Sequence, residues 1–348
     1  MTKLAGTRVS IWADAFRIDD RPTYAGRLWE GCLVEGLLLN ARMVQATFDD
    51  LNPATVPRWA YPDTLQWDAE RNTTEFVAAM GAWRRCGLLA VTLNLQGGSP
   101  EGYSGEQPWH NSAFRADGSL RPPYLARLGR VIDRADQLGM AVILGLFYFG
   151  QDERLRDESA VLRAVDNAVD WLLDRDCAHV LVEVNNECDV PRYEHAVLRP
   201  ERVHELLWRV RRRAGGRLLV STSYGGGTVA RENVVAEADF VLMHGNGVSE
   251  PARLAEMVHR VRQLPAYRPM PIVINEDDHF DFDHPANNMR AAIEQHCSWG
   301  YFDPGANDYA NGYQSPPVRW GINTPRQRAF FRRVAEVAGV DGNPPAVR

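Results

Sequence analysis

Val180-Leu-Val-Glu-Val-Asn-Asn-Glu187 is an apolar run that breaks off in Asn-Glu. Pro271-Ile-Val-Ile-Asn-Glu276 does the same, its glutamate 89 residues after Glu187. A short Val/Ile/Leu run with no alternation reads as a strand of a parallel sheet, buried on both faces. Ending it in Asn-Glu delivers a carboxylate to the strand's C-terminal end. Two such strands in one sheet place two carboxylates at one mouth, the arrangement that cleaves glycosidic bonds.

Outward from these two runs, strand and helix patterns alternate. The pattern predicts strands over 37–46, 88–95, 140–147, 180–184, 217–222, 239–244, 271–275 and 298–302. Between them it predicts helices over 73–85, 124–138, 160–174, 200–213, 252–264 and 286–296, with a last helix over 325–337 and a barely helical link before the sixth strand. Phe76, Val77, Met80 and Trp83 fall on one face of the first helix, and Leu125, Leu128, Ile132 and Ala135 on one face of the second. Gly87 and Gly139 stop those helices, and Pro200 is expected to open the fourth. Eight strands with intervening helices predict an α/β fold, a closed (β/α)8 TIM barrel. An open doubly wound sheet would carry a Gly-rich turn after its first strand; here that strand runs into Gln45-Ala-Thr-Phe-Asp-Asp50.

The chain is read as a single catalytic domain, 1–348: a short β preface over 1–30, the barrel over 31–340 and a frayed Pro/Gly-rich tail over 341–348. Its long connections, 47–71, 96–120, 188–199 and 303–324, all follow strands. In a barrel they therefore gather on the face where active sites form. The connections on the other face, such as Cys86-Gly87, are tight.

Bulk composition excludes several classes. The 348 residues carry a net charge of -6, which argues against a nucleic-acid or anionic-membrane partner. The cluster Arg209, Arg211, Arg212 and Arg213 reads as a solvated helix end. No apolar stretch reaches the ~20 residues of a membrane span. The first ten residues lack the apolar core of a signal peptide. Five widely spaced cysteines without a C-x-x-C read as reduced thiols, so a cytoplasmic location is expected. Cys188 beside Glu187 reads as a packing residue, since no His stands at an obvious partner position. Nothing in the sequence sets an oligomeric state.

The strand ends are rich in groups that suit a polyol. Asn94 and Gln96 end strand two, and Tyr148 and Gln151 follow strand three. Tyr224 follows strand five, His244 and Asn246 end strand six, and Trp299, Tyr301 and Asp303 belong to strand eight. Amides and hydroxyls bond both ways to sugar hydroxyls, and aromatic faces cover the apolar face of a sugar ring. Asn186 is placed to bind a hydroxyl beside the anomeric carbon. Trp59, Tyr61, Trp67, Tyr103 and Trp109 lie in the two long early loops and are candidate subsites. The run 276–284 holds four Asp, two His and one Glu. That density suits a divalent cation, but its spacing matches no zinc or EF-hand pattern. It reads as an acidic loop shaping the pocket, with Asp277 and Asp278 facing sugar hydroxyls and helping to keep Glu187 protonated. No metal and no cofactor are expected.

With Asn186-Glu187 after strand four, Glu276 after strand seven and Trp299 on strand eight, the chain resembles the clan A glycoside hydrolases, the cellulase-like (β/α)8 enzymes. The resemblance implies that Glu187 is the acid/base and Glu276 the nucleophile of a retaining double displacement. Many members hold an Arg near the end of strand two. Here Asn94 or Gln96, or Arg42 from strand one, must take that place. The Tyr148 region replaces a His that many members carry after strand three. These departures mark a divergent branch. The expected activity is hydrolysis of O-glycosidic bonds in a small oligosaccharide or glycoside. The rival expectations are a metal-dependent barrel hydrolase using 276–284, and a barrel that binds carbohydrate without cleaving it.

Overall fold

A computed structural model describes residues 6–101, 106–305 and 311–341. Tyr103 and the tail beyond Asp341 lie outside the described residues. The preface is a three-stranded antiparallel sheet, β1 (Val9–Trp12), β2 (Ala15–Ile18) and β3 (Arg21–Pro22), followed by a hairpin of β4 (Leu28–Trp29) and β5 (Cys32–Leu33).

Eight parallel strands follow: β6 (Asn40–Arg42), β7 (Ala90–Asn94), β8 (Ala141–Phe147), β9 (Val180–Asn185), β10 (Leu219–Ser221), β11 (Val241–His244), β12 (Ile272–Glu276) and β13 (Gly300–Tyr301). Six pair in the order β10-β9-β8-β7-β6-β13, and β11 pairs with β12. Bridges Val273↔Ser298 and Asp277↔Tyr301 join β12 to β13. Between β10 and β11 the seam is made by Asp239 at one end and by Gly227, which donates its N–H to His244 O at 3.2 Å, at the other. Asp239 donates its N–H to Val220 O at 2.9 Å, and its carboxylate accepts the N–H of Val220 at 2.9 Å. The ring of strands is thereby closed, as a TIM barrel requires.

Helices α1 (Ala69–Arg85), α2 (Pro122–Leu138), α3 (Glu158–Asp174), α4 (Val203–Ala214), α5 (Glu232–Glu237), α6 (Pro251–Arg262), α7 (Asn288–Glu294) and α8 (Pro325–Ala338) surround it. Their ends follow local chemistry. Asp68 caps α1 by accepting from Arg71 N at 2.9 Å, and Gly139 ends α2 in the left-handed conformation, φ 62°. Thr324 and Gln327 form a reciprocal capping box on α8. None of the helices among the described residues is long and apolar enough to cross a membrane.

Three expectations differ from the structure. The first strand is only Asn40–Arg42, because Val44–Thr47 turns into a 3-10 helix directly after it. Pro200 does not open α4, which begins at Val203 after a turn. The Arg cluster on α4 is also less solvated than expected. Arg209 and Arg213 reach Asp166 and Asp170 on α3, and Arg211 reaches Glu237 and Asp239.

Strand alternation divides the core in two. One set of side chains, including Val91, Leu93, Val142, Leu144, Val182 and Ile274, faces the helices. The other set fills the barrel. Its lower layer is apolar, with Leu38, Ala90, Ile143, Leu181, Leu242 and Val273. Two residues further along the same strands the interior turns polar, with Asn40, Thr92, Glu183 and Asn275 all fully buried. Gly145 and Gly300 make room for this layer: a Cβ on either would collide with the Asn94 or the Asn40 side-chain amide.

Candidate active site

At the C-terminal ends of the strands lies a cavity of about 590 Å3 lined by residues from every barrel strand end or the loop after it, among them Arg42, Tyr148, Glu187, Asn246, Glu276 and Gln314. One carboxylate oxygen of Glu187, one of Glu276 and a ring nitrogen of His244 lie within 4.8 Å of one another on its floor. Each is held by neighbours that differ in charge. Arg42, from β6, ion-pairs with Glu276 Oε2 through Nε at 2.6 Å, and both side chains are nearly inaccessible to water. Asn246 Nδ2 donates to Glu276 Oε1 at 2.6 Å. His244 Nδ1 stands 2.9 Å from Glu187 Oε1 and 3.6 Å from Glu276 Oε2.

The two glutamates are thus unequal. Glu276 faces a permanent cation and an amide donor. Glu187 faces an imidazole that can carry a proton. Burial alone disfavours the charged form of both partners. For His244 it is outweighed by the Glu276 charge and by the bond and charge of Glu187, so the imidazole pKa is raised. For Glu187 burial is outweighed by His244 and then Arg42, so the carboxyl is lowered. The two groups share one short hydrogen bond, His244 Nδ1 to Glu187 Oε1, along which a proton can pass. Two titrating groups this close release their protons as a unit.

Glu187 sits at φ 49°, in the left-handed region that side chains other than Gly seldom occupy. Its backbone is pinned there. Glu187 N donates to Ser223 Oγ at 3.0 Å, and Cys188 N donates to Ser223 O at 2.9 Å. The Ser223 hydroxyl donates in turn to Glu183 Oε1 at 2.5 Å, and Asn275 Nδ2 approaches the other oxygen at 3.4 Å. Glu183 is a third carboxylate beneath the pair. Burial, opposed by the charges of Arg42 and His244, raises its pKa. Its signal in the sequence was a charge inside an apolar strand, in step with Asn185 and Glu187 at intervals of two.

The other strand-end candidates divide by position. Tyr148 lines the cavity, and its hydroxyl meets Ser99 Oγ at 2.9 Å. Asn186 stands behind it, accepting from Arg42 Nη2 at 2.9 Å. Arg42, and not a strand-two residue, is the arginine that reaches Glu276. Asn94 is buried within the barrel against Gly145. Gln96 and Gln151 are buried and bonded to backbone: Gln96 Nε2 donates to Gln151 O at 3.0 Å, and Gln151 Nε2 donates to Trp109 O at 2.9 Å. Tyr224 is buried outside the cavity lining, and Tyr301 donates to Asp303. Trp299 points into the helix layer, against Phe282 and Phe330, and donates to Asp277 at 2.8 Å.

Trp59, Trp67 and Trp109 form their own cluster with Phe48, and Tyr61 stacks on Trp67. Of the acidic run, Asp278 lines the cavity. Asp277 is fully buried and committed to Trp299, His279 and Asn288. Cys188 is buried, and burial pushes its thiol well up, away from a reactive thiolate. Ser99, Gln314 and Arg192 line the cavity from loops that carried no motif.

Asp152 braces this face. It lies in the turn after β8, and its carboxylate accepts from Glu194 N at 2.8 Å and His195 N at 3.2 Å in the loop after β9. The same loop carries Arg192 to the cavity.

Among the described residues two groups have metal-like donor sets: Glu187, His244 and Glu276, and Asp277, Asp278 and His279. Neither fits a cation well. In the first, the Arg42 guanidinium already occupies the approach to Glu276 with a fixed positive charge. In the second, Asp277 has both oxygens engaged by protein donors.

No family model and no curated protein matches the sequence. Solved structures do match the fold. A family 5 glycoside hydrolase from Bacteroides vulgatus superimposes with a TM-score of 0.59 at 13% identity, over 94% of this chain and 69% of that one. A family 5 mannosidase from Rhizomucor miehei gives 0.52 at 12% identity, over 96% and 98% of the two chains. The endo-1,4-beta-mannanase of the same fungus gives 0.53 at 10% identity, over 84% and 89%. At such identities the likeness is one of fold: the chain has the (β/α)8 barrel of the family 5 glycoside hydrolases.

Proposed function

We propose that the protein is a retaining glycoside hydrolase that cleaves a small oligosaccharide or glycoside by double displacement. The observation that carries this is the closeness of Glu187 and Glu276, whose nearest oxygens lie within 4.8 Å across a cavity floor. Retaining enzymes hold their carboxyl groups ~5–5.5 Å apart, and inverting ones leave ~6.5–9.5 Å for a water. The fold neighbours, family 5 hydrolases by name, favour the same class.

Glu276, ion-paired with Arg42, is the nucleophile. Its oxygen forms a bond to the anomeric carbon as the bond to the leaving oxygen breaks. The leaving oxygen takes the proton held by Glu187 and His244, delivered through Glu187. Water then enters, gives a proton back to Glu187, and its oxygen displaces Glu276 from the sugar. His244 resolves the tension between a lowered Glu187 and its role as acid: the proton is stored on the imidazole and handed over when charge develops on the leaving oxygen. Tyr148 and Asn246, which line the cavity, are assigned to substrate hydroxyls, and Asn186 to holding Arg42. Five free thiols suit a cytoplasmic enzyme working on short substrates.

The test is a screen of aryl glycosides with product anomer read by NMR, repeated with Glu187→Gln and Glu276→Gln. Retained configuration is expected, with turnover reduced by about 100-fold or more in each variant. Near-parental turnover in either variant removes the mechanism, and an inverted product replaces it with single displacement. A sugar held tightly with no turnover across the panel would support the non-catalytic barrel instead.

A further inference from the structure

The rim of the cavity is uneven. On the side of β13, β6, β7 and β8 it is a continuous wall. Gln314, from the loop after β13, donates through Nε2 to Ser99 O at 2.6 Å in the loop after β7. Ser99 Oγ meets the Tyr148 hydroxyl at 2.9 Å after β8. Both Gln314 and Ser99 are more than nine-tenths buried, so the wall is packed and not a pair of loose loop tips. Gln45 anchors it from below by donating to Gly98 O at 3.1 Å.

Across the cavity, after β10 and β11, two of the three lining residues are glycines, Gly226 and Gly247, with Asn246 beside them. Gly226 has no room for a side chain, because a Cβ there would strike the Asn246 backbone. Gly247 has open space around its missing Cβ and a left-handed φ of 70°, which favours glycine. This low sill adjoins Glu187, since β10 is the next strand to β9 in the ring.

We infer that the enzyme is exo-acting: it takes the terminal sugar at the non-reducing end of a glycan, with the remainder of the chain leaving over the Gly226–Gly247 sill. The inference rests on the hydrolase reading above. The leaving group must reach the acid Glu187, and the sill lies beside it. The sugar attacked by Glu276 sits toward Arg42, under the Gln314–Ser99–Tyr148 wall, which closes that side among the described residues. The cavity volume, about 590 Å3, is in the range of a small-ligand pocket, roughly 300–1,000 Å3, and not that of an extended cleft.

The test takes the sugar identified by the aryl-glycoside screen and offers linear oligosaccharides of it in two forms, reduced at the reducing end and chemically blocked at the non-reducing end. Single sugars released one at a time from the reduced chains, with complete loss of turnover on the blocked chains, are expected. Mid-chain products, or turnover of blocked chains at the rate of unblocked ones, overturn the inference while leaving the hydrolase intact. Absence of turnover on every aryl glycoside removes the hydrolase and the inference together. Gln314→Ala gives a second measure. Breaking the bridge to Ser99 is expected to turn the complete loss on blocked chains into detectable cleavage. If the variant keeps parental kcat on the aryl glycoside and still rejects blocked chains, the wall is not what excludes them.

Discussion

Asp152→Asn separates a buried charge from the bonds that surround it. Burial pushes the Asp152 carboxyl up from 3.8 to about 6, against the pull of the His195 and Glu194 N–H groups. A carboxyl with a folded pKa above its unfolded one binds its proton more tightly in the native state. Stability is then highest below the unfolded value and declines as pH rises through the window between the two. The full difference of about 2.2 pH units corresponds to about 3 kcal/mol, of which about 2.5 kcal/mol falls between pH 4 and pH 7. Asparagine keeps an oxygen for the two N–H donors and cannot ionise. Any constant offset, such as a poorly placed amide N–H, cancels when the two pH values are compared. Urea unfolding of parent and variant at both pH values is the assay. The variant should gain about 2.5 kcal/mol on the parent from the lower to the higher pH. A stability difference that does not change with pH would refute the assignment of a buried, destabilising charge to Asp152.

Arg42→Met should destabilise the fold by about 3–5 kcal/mol at neutral pH, because it leaves Glu276 buried without its cation; urea midpoints measure it, and a loss below 1 kcal/mol would show that the pair is not buried as described. Gly145→Ala should cost about 1–3 kcal/mol, since the new methyl meets the Asn94 amide inside the barrel; thermal unfolding at matched pH reads it, and an unchanged midpoint would mean the polar layer yields freely. Prolonged dialysis against EDTA should leave turnover unchanged. Loss restored by a divalent ion would reinstate the metal-dependent rival built on 276–284.

Much of this architecture was legible in the sequence because two periodicities and a few punctuating residues specify it. Apolar runs with no alternation gave the barrel strands, and Gly87, Gly139 and Pro325 marked helix ends where the structure has them. The failures lie where local pattern was overruled. Leu37 to Ala46 is apolar enough for one strand, yet the chain turns after Arg42 to bring Gln45 under the loop at Gly98.

At the site, residue type and strand end together located Arg42, Tyr148, Glu187, His244 and Glu276 around one cavity. They did not say which face of a strand each residue occupies. Trp299 stands one residue before Gly300, and that single step turns it into the helix layer. Asn94 faces inward but lies one layer too deep. Gln314 and Ser99 were illegible because only the folded loops bring residues more than two hundred positions apart into contact.

The seam at Asp239 gives the barrel a preferred fault line. Everywhere else in the ring, neighbouring strands are zipped by backbone pairing. Here two bonds from Asp239, one of them through its side chain, and a single backbone bond from Gly227 to His244 hold the fifth strand to the sixth. Transient breathing should therefore begin at this point, with β11 swinging away from β10 while β12 stays joined to β13. Because Glu276 ends β12 and Glu187 follows β9, such an opening would spread the two carboxylates before it disturbed the core. Catalytic competence would then be among the first properties lost on the way to unfolding.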